Sequence, residues 1–300
     1  MTGAVSRLVQ AGARVGESPL WLLRPRVWLW LDLQGRQVHR YDPRTGRDAV
    51  IAEGFDEDLA CLARWTDEAV LLVSVRGFHR LSLADGAVRS IPCPVDLPDG
   101  TIFNDGKVDG HGTLWLGSSD AGETAPVGRL WRVAGDRVTE VAAGFTVSNG
   151  PAFAPDGRTA YFADTFGRRL LRFDLDTAGQ PVAQVVFAQV DGAAGYPDGM
   201  TVDAEGTLYV GHWEGARISR WRPDGTALPD LAIPALNVTS LAFGGPDLRH
   251  VAVTTASLFP GQTQADGWGW NGDLLGFHAA TPGLPEPPLS DGWGQWAGPG

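Results

Sequence analysis

The chain almost lacks lysine: of its 24 basic residues, Lys107 is the sole lysine and the other 23 are arginine. Basic residues are also outnumbered, with 35 acidic side chains and a formal net charge of −11 over 300 residues. That balance excludes a nucleic-acid groove or an anionic membrane surface as the main partner. Cysteine is scarce. Cys61 and Cys93 are too few for a disulfide framework and read as cytosolic thiols. Long hydrophobic runs are missing as well. The densest, VWLWLDL at 27–33, is far too short to span a bilayer. The first 21 residues have no continuous apolar stretch of the kind a signal peptide needs. These absences predict a soluble, cytoplasmic protein. Helical periodicity of useful length is absent too.

What the chain does have is 43% hydrophobic residues, 40 glycines and 21 prolines, enough for a large core cut by many turns. A strand, a turn, a strand, a polar loop and a further strand recur in six blocks, at 21–46, 64–86, 107–138, 152–179, 201–225 and 242–281. The period is about 40–48 residues, that of a propeller blade with four antiparallel strands. Segments such as TLYVGHW (207–213) alternate apolar and polar residues, as half-buried strands do. One blade cannot bury both faces, whereas six arranged radially can. The predicted fold is all-β: a six-bladed β-propeller of four-stranded antiparallel blades around a central channel. Residues 1–288 form this single domain and 289–300 a Gly/Trp-rich C-terminal tail. Residues 6–15 are predicted to pair into the sixth blade, because an open ring would leave an unpaired edge.

In a meander blade alternate turns lie on one side of the disc. The turn leading into each first strand and the turn after each second strand therefore share one mouth of the channel. The leading turns carry oxygen: Glu17 in GESPLW, Asn104 and Asp105 in FNDG, Asn149 in VSNG and Asp198 in YPDGM. Taken singly, Asn-Gly and Asp-Gly are ordinary turn dipeptides, and Asp156-Gly157 and Asp224-Gly225 read as no more than that. As a set ahead of successive blades they suit a hard divalent cation, with two carboxylates and one or two amide oxygens. No Cys-x-x-Cys or His-x-x-x-His spacing offers a thiolate or multi-histidine zinc site instead. Of the other polar residues, His212 follows a second strand and should face the mouth, and Asp164 reads as a structural acceptor.

GESPLW, NDGKVD, SNGPAFAPDG and PDGMTVDAEG, in this order and spacing, resemble the SMP-30/gluconolactonase/luciferin-regenerating-enzyme family, which includes regucalcin. The likeness runs from about residue 12 to about 288, ending in GLPEP at 283–287. It implies one divalent metal cation on the axis, of unspecified identity among Ca, Zn, Mn, Mg and Fe, ligated by Glu17, Asn149 and Asp198. It places Asn104 beside metal and substrate, and implies hydrolysis of a sugar lactone to its aldonic acid with Asp198 as catalytic base. Glu123, in GETAP, resembles a loop glutamate that meets substrate, although its spacing to NDGKVD differs by one residue. The chain departs from the family at Ile102, where the family often has arginine ahead of x-Asn-Asp-Gly. A less polar pocket wall follows, and Arg76 stands on the same mouth as a candidate replacement guanidinium. The expected substrate-binding set is thus Asn104, Glu123, His212 and Ile102. The expected partner is a small-molecule lactone, on a monomer or weak oligomer. Two alternatives stay open: a hydrolase of the same fold acting on another ester, specialised lactone or phosphoester, and a non-enzymatic metal- or ligand-binding propeller.

Overall fold

The computed structural model describes residues 3–257 and 269–293. Six four-stranded antiparallel sheets are arranged as a ring. The first strand of each is β2 (Gly16–Leu22), β6 (Leu59–Arg64), β10 (Thr101–Val108), β14 (Ser148–Phe153), β18 (Tyr196–Val202) or β22 (Asn237–Gly244). Each of these packs against the first strand of the next blade, and β22 returns to β2. They line the axis, and the later strands of each blade run outward in chain order.

The sixth blade is completed across the termini. β1 (Ser6–Val9) pairs antiparallel with β24 (Leu274–His278), outside β23 (His250–Ala256) and β22. Beyond β1 the chain stays tied to this blade, with Ala11 N donating to Asp273 Oδ1 at 3.0 Å and Ala13 N to Gly272 O at 2.7 Å. The predicted closure of the ring is observed over Ser6–Val9, while Arg14 and Val15, at the end of the predicted stretch, already bond to Asp32 of the first blade. The closure satisfies an edge that would otherwise present free backbone groups.

Between blades the sheets bury large side chains face to face. Trp30, Trp115, Tyr161, Phe103 and Phe162 are all essentially inaccessible. The recurring second glycine turn has a local cause. Asp109 Oδ1 accepts from the backbone of His111 and Thr113, while its Oδ2 takes the Trp115 indole N–H at 2.9 Å. Asp203 repeats this on Glu205, Thr207 and the Tyr209 hydroxyl. The pattern Asp-x-x-Gly-Thr-Leu-aromatic thus folds a tight loop and anchors the next strand's buried ring through one carboxylate.

On the side away from the leading turns, the chain after β24 crosses the disc as a strap. Gly283 bridges to Asp203, Glu286 O accepts from Arg64, and Ser290 N donates to Gly112 O at 2.9 Å. Leu289 and Trp293, at the start of the stretch expected as a tail, are buried in the core of the second and third blades. Residues 294–300 lie outside the described residues, as do 266–268 of the Gly/Trp-rich segment before β24.

Candidate metal centre and substrate cavity

The polar motifs do not sit in turns that precede the strands, as the sequence suggests. They lie inside the first strands, each at a β-bulge. Pairing slips between Glu17 and Leu20, between Phe103 and Gly106, between Asn149 and Ala152, and between Pro197 and Met200. The remaining two first strands slip at the same level, between Leu59 and Cys61 and between Val238 and Ser240. A bulge breaks the strict alternation of side chains and re-aims a residue. Here it lets polar side chains point to the axis from strands that are otherwise core.

The glycines of these motifs serve the close approach of neighbouring first strands. Gly150 has φ +81°, a conformation that L side chains rarely adopt. A Cβ on Gly199 would stand 2.9 Å from the Ser240 Cα.

A cavity of about 420 Å³ opens at this mouth. Glu17, Asn149 and Asp198 all line it, as do Asn104, Ile102 and Glu123. Six of the seven residues expected as ligands, base or substrate contacts are thus gathered at one place. His212 is not. Expected at the mouth, it is instead fully buried within its blade, with Nε2 2.7 Å from Ser219 Oγ. Trp213 and Glu214, its neighbours, line the cavity in its stead. The parity of the strand explains this: His212 faces the blade interior and Trp213 faces out. Arg76 is exposed and is not among the described cavity-lining residues. Asp164 accepts from Gly167 N and from Arg169, as a structural acceptor should.

Hydrogen bonds fix the oxygen donors. Asn149 Nδ2 donates to Thr165 Oγ1 at 3.0 Å, and that hydroxyl donates on to Pro197 O at 2.9 Å. The amide oxygen of Asn149 therefore faces away from Thr165 and accepts from Asn104 Nδ2 at 2.9 Å. Its second lone pair remains for a cation. Glu17 Oε2 accepts from Ser18 N at 2.6 Å, which holds one carboxylate oxygen against the strand.

Asp105, expected with Asn104 in a leading turn that carries oxygen toward the mouth, lies on the cavity floor. It is buried, accepts from Gly106 N at 2.7 Å and reaches Gly150 N of the next blade at 3.0 Å. It thereby ties the strand of Asn104 to that of Asn149.

The electrostatics of the floor are unbalanced. Burial is the first cause that pushes Glu17 well above the usual carboxylate range, followed by the charges of Asp198 and Asp105. Burial, then the charge of Asp105, does the same to Asp198. Burial raises Asp105 to about 6. The nearby ammonium of Lys107 offsets part of this, while its Nζ donates to Met200 O at 2.7 Å and lies 4.0 Å from Glu286. Buried carboxylates without a matching countercharge, together with a fixed amide oxygen, are the donor set of a hard divalent cation. The residues present fit such an ion.

A second trio with metal-binding chemistry, Asp247, His250 and His278, lies at the opposite end of the sixth blade, with ligand atoms within 4.8 Å of one another. His250 and His278 are cross-strand partners, a proximity that sequence spacing does not reveal. All three are exposed.

Residues 15–257 match the model of the SMP-30/Gluconolactonase/LRE-like region. The chain is 35% identical over 289 residues to the pentonolactonase of Haloferax volcanii, covering 94% of this chain and 97% of that protein. It is 32% identical over 291 residues to the 6-deoxy-6-sulfogluconolactonase of Pseudomonas putida, covering 96% and 99%. Among solved structures it resembles a calcium-binding protein, regucalcin, of Agrobacterium tumefaciens. That likeness has a TM-score of 0.89 and 28% identity over 96% of this chain and 98% of that one.

Proposed function

The chain belongs to the SMP-30/gluconolactonase/LRE-like family, and from that premise we propose that it is a lactonase, opening a sugar lactone to the hydroxy acid with the help of one divalent cation. The observation that carries this reading is the gathering of Glu17, Asn149, Asp198 and Asn104 on one cavity, by bulges in separate blades. Glu17, Asn149 and Asp198 are the proposed ligands. When bound, the cation would polarise the lactone carbonyl and favour the negative charge that grows on its oxygen.

The chain's own groups supply the rest. A carboxylate oxygen of Asp198 accepts a proton from water as the water oxygen bonds to the carbonyl carbon. The ring C–O bond then breaks, and the same proton passes to the departing ring oxygen, leaving a free hydroxyl and a carboxylic acid. Asn104 orients the substrate beside the ligands, with Ile102 and Glu123 at the walls. Asp105 and Thr165 hold the framework: one crosslinks two first strands and the other sets the Asn149 amide.

The test is proton release over a panel of lactones, with the chelated chain and with the chain reloaded with Ca, Zn, Mn, Mg or Fe. Hydrolysis above the spontaneous rate should appear with at least one cation, vanish on chelation and return on reloading. Asp198→Asn should abolish it. No turnover of any lactone with any cation would overturn the reading.

A further inference from the structure

We infer that this cavity takes an uncharged lactone and rejects lactones that carry a phosphate, sulfonate or further carboxylate. The inference rests on the lactonase reading and names its substrate class. Six carboxylates line the cavity: Glu17, Asp58, Asp105, Glu123, Asp198 and Glu214. Among the described lining residues there is neither lysine nor arginine. Residues 258–268 and 294–300 contain none either. A divalent cation held by Glu17 and Asp198 cancels those two charges, Arg36 pairs with Asp58 and the charge of Lys107 acts on Asp105, which leaves Glu123 and Glu214 at the mouth with no ion pair among the described residues.

Three guanidiniums near the rim, unlike that of the exposed Arg76, have protein partners. Arg36 Nε donates to Asp58 Oδ1 at 2.8 Å and its Nη1 to Asp56 O at 3.1 Å. Arg168 Nη1 donates to Gly195 O at 2.7 Å and Gly192 O at 2.9 Å, with its guanidinium 3.7 Å over the Tyr196 ring. Arg14 Nη2 donates to Gln34 Oε1 at 3.2 Å. Arg76 stands exposed, outside the lining. Lys107, on the floor side, donates to Met200 O.

Two of the carboxylates are held at the mouth at a conformational cost. Glu123 and Glu214 have φ of 54° and 56°, left-handed values uncommon for residues with a Cβ. They stand on loops of different blades, so a substrate tail leaving the cavity meets negative charge on both sides.

Much of the remaining wall is apolar, interrupted by Gln34, Asn104, Asn149, Thr165 and Thr239. Phe166 and Tyr196 are 5.6 Å apart between ring centroids and line the cavity with Trp213, while Ile102 lies where the family often has arginine. Rings of this kind hold the C–H face of a neutral sugar or an alkyl substituent, and offer an anion nothing. A relative named for a sulfonated substrate is 32% identical to this chain; its substrate's negative group would find no counter-ion here.

The experiment compares kcat/KM of the cation-loaded chain for a neutral aldonolactone and for its 6-phosphorylated counterpart. At low salt the neutral lactone should be favoured by about tenfold or more, the scale of one like-charge contact near a protein surface. The ratio should narrow in high salt and in the double variant Glu123→Gln/Glu214→Gln. Equal or better use of the phosphorylated lactone overturns the inference. Calorimetric titration with a neutral aldonolactam, which is not hydrolysed, and with its 6-phosphate keeps the two readings apart. Lactam binding without turnover of any lactone sinks the lactonase reading alone. Equal affinity for both lactams, preference for the phosphate or binding of neither sinks the present one.

Discussion

Asn149 shows how a residue with an ordinary local meaning acquires a special one. Asn-Gly is common in turns, yet here it lies in a bulged first strand, with its amide nitrogen pinned to Thr165 and its oxygen turned to the cavity. Asn149→Ala should therefore lose cation affinity and activity together while melting within a few degrees of the parent in chelator. Calorimetric titration and a thermal melt check both halves. Thr165→Val should weaken cation binding less, by about 1 kcal/mol, the worth of a typical buried hydrogen bond. The oxygen donors were legible because their order and spacing form a recognisable set. The crosslinking role of Asp105 was not, since nothing in Asn-Asp-Gly says which of two adjacent polar side chains reaches the next blade. Ile102 lines the cavity with Asn104, but Phe103 and Asp105 do so as well, so the bulge between Phe103 and Gly106 and not simple strand parity sets this wall. A guanidinium there would hydrogen-bond polar groups that the isoleucine leaves unpaired. Ile102→Arg should shift the kcat/KM ratio of a hydroxyl-rich to a hydroxyl-poor lactone upward by roughly ten- to a hundred-fold. An unmoved ratio would remove residue 102 from specificity.

At the scale of the strand, the turn argument misplaced His212, which counted as a residue after the second strand rather than within it. β19 (Leu208–Trp213) runs through it, so the imidazole turns into the blade. Burial, then the charge of Arg217, lowers its pKa to about 3. The sign follows from proton counts: between about 3 and the unfolded value near 6.5 the unfolded chain holds a proton that the folded chain does not. The contribution of this residue to stability is complete above about pH 6.5 and is lost as pH falls, by up to about 1.4 kcal/mol per unit. His212→Asn should flatten the decline in melting temperature between pH 6.5 and 4.5, although the variant is less stable at neutral pH. Strand contacts also explain why glycine could not be weighed from sequence. Gly199→Ala places a Cβ within 2.9 Å of the Ser240 backbone and should cost about 1–3 kcal/mol, measured by denaturant midpoint. Fold and closure, by contrast, were readable. A 40-odd-residue repeat has few closed solutions, and a spare N-terminal strand beside an incomplete last blade leaves one place to go.

For the whole molecule, the decisive quantity is charge at the centre of the ring. Three carboxylates from different blades meet on the floor of one cavity, and the folded chain can hold them apart from water only at a cost in free energy. In the cation-free chain Asp105 titrates at about 6, raised first by burial. A raised carboxyl pKa means that the folded state binds the proton more tightly than the unfolded state. Its stabilising contribution is full below the unfolded value near 4 and is lost as pH rises through about 6. Glu17 and Asp198 are shifted in the same direction. The chelated protein should therefore lose stability between about pH 4 and 6.5, on the order of 2 kcal/mol from Asp105 alone. This loss is opposite in sign to the effect of His212 over that range, so Asp105→Asn and His212→Asn separate the two. A saturating cation should remove most of the loss, because it replaces protons as the countercharge and binds only the folded ring. At a hundred times its dissociation constant it adds about 2.7 kcal/mol. Melting curves of the chelated and reloaded chain across this pH range are the measurement. The two should converge near pH 4, where protons displace the cation, and diverge steadily above pH 6. Parallel curves at all pH values would mean that no ion binds these carboxylates.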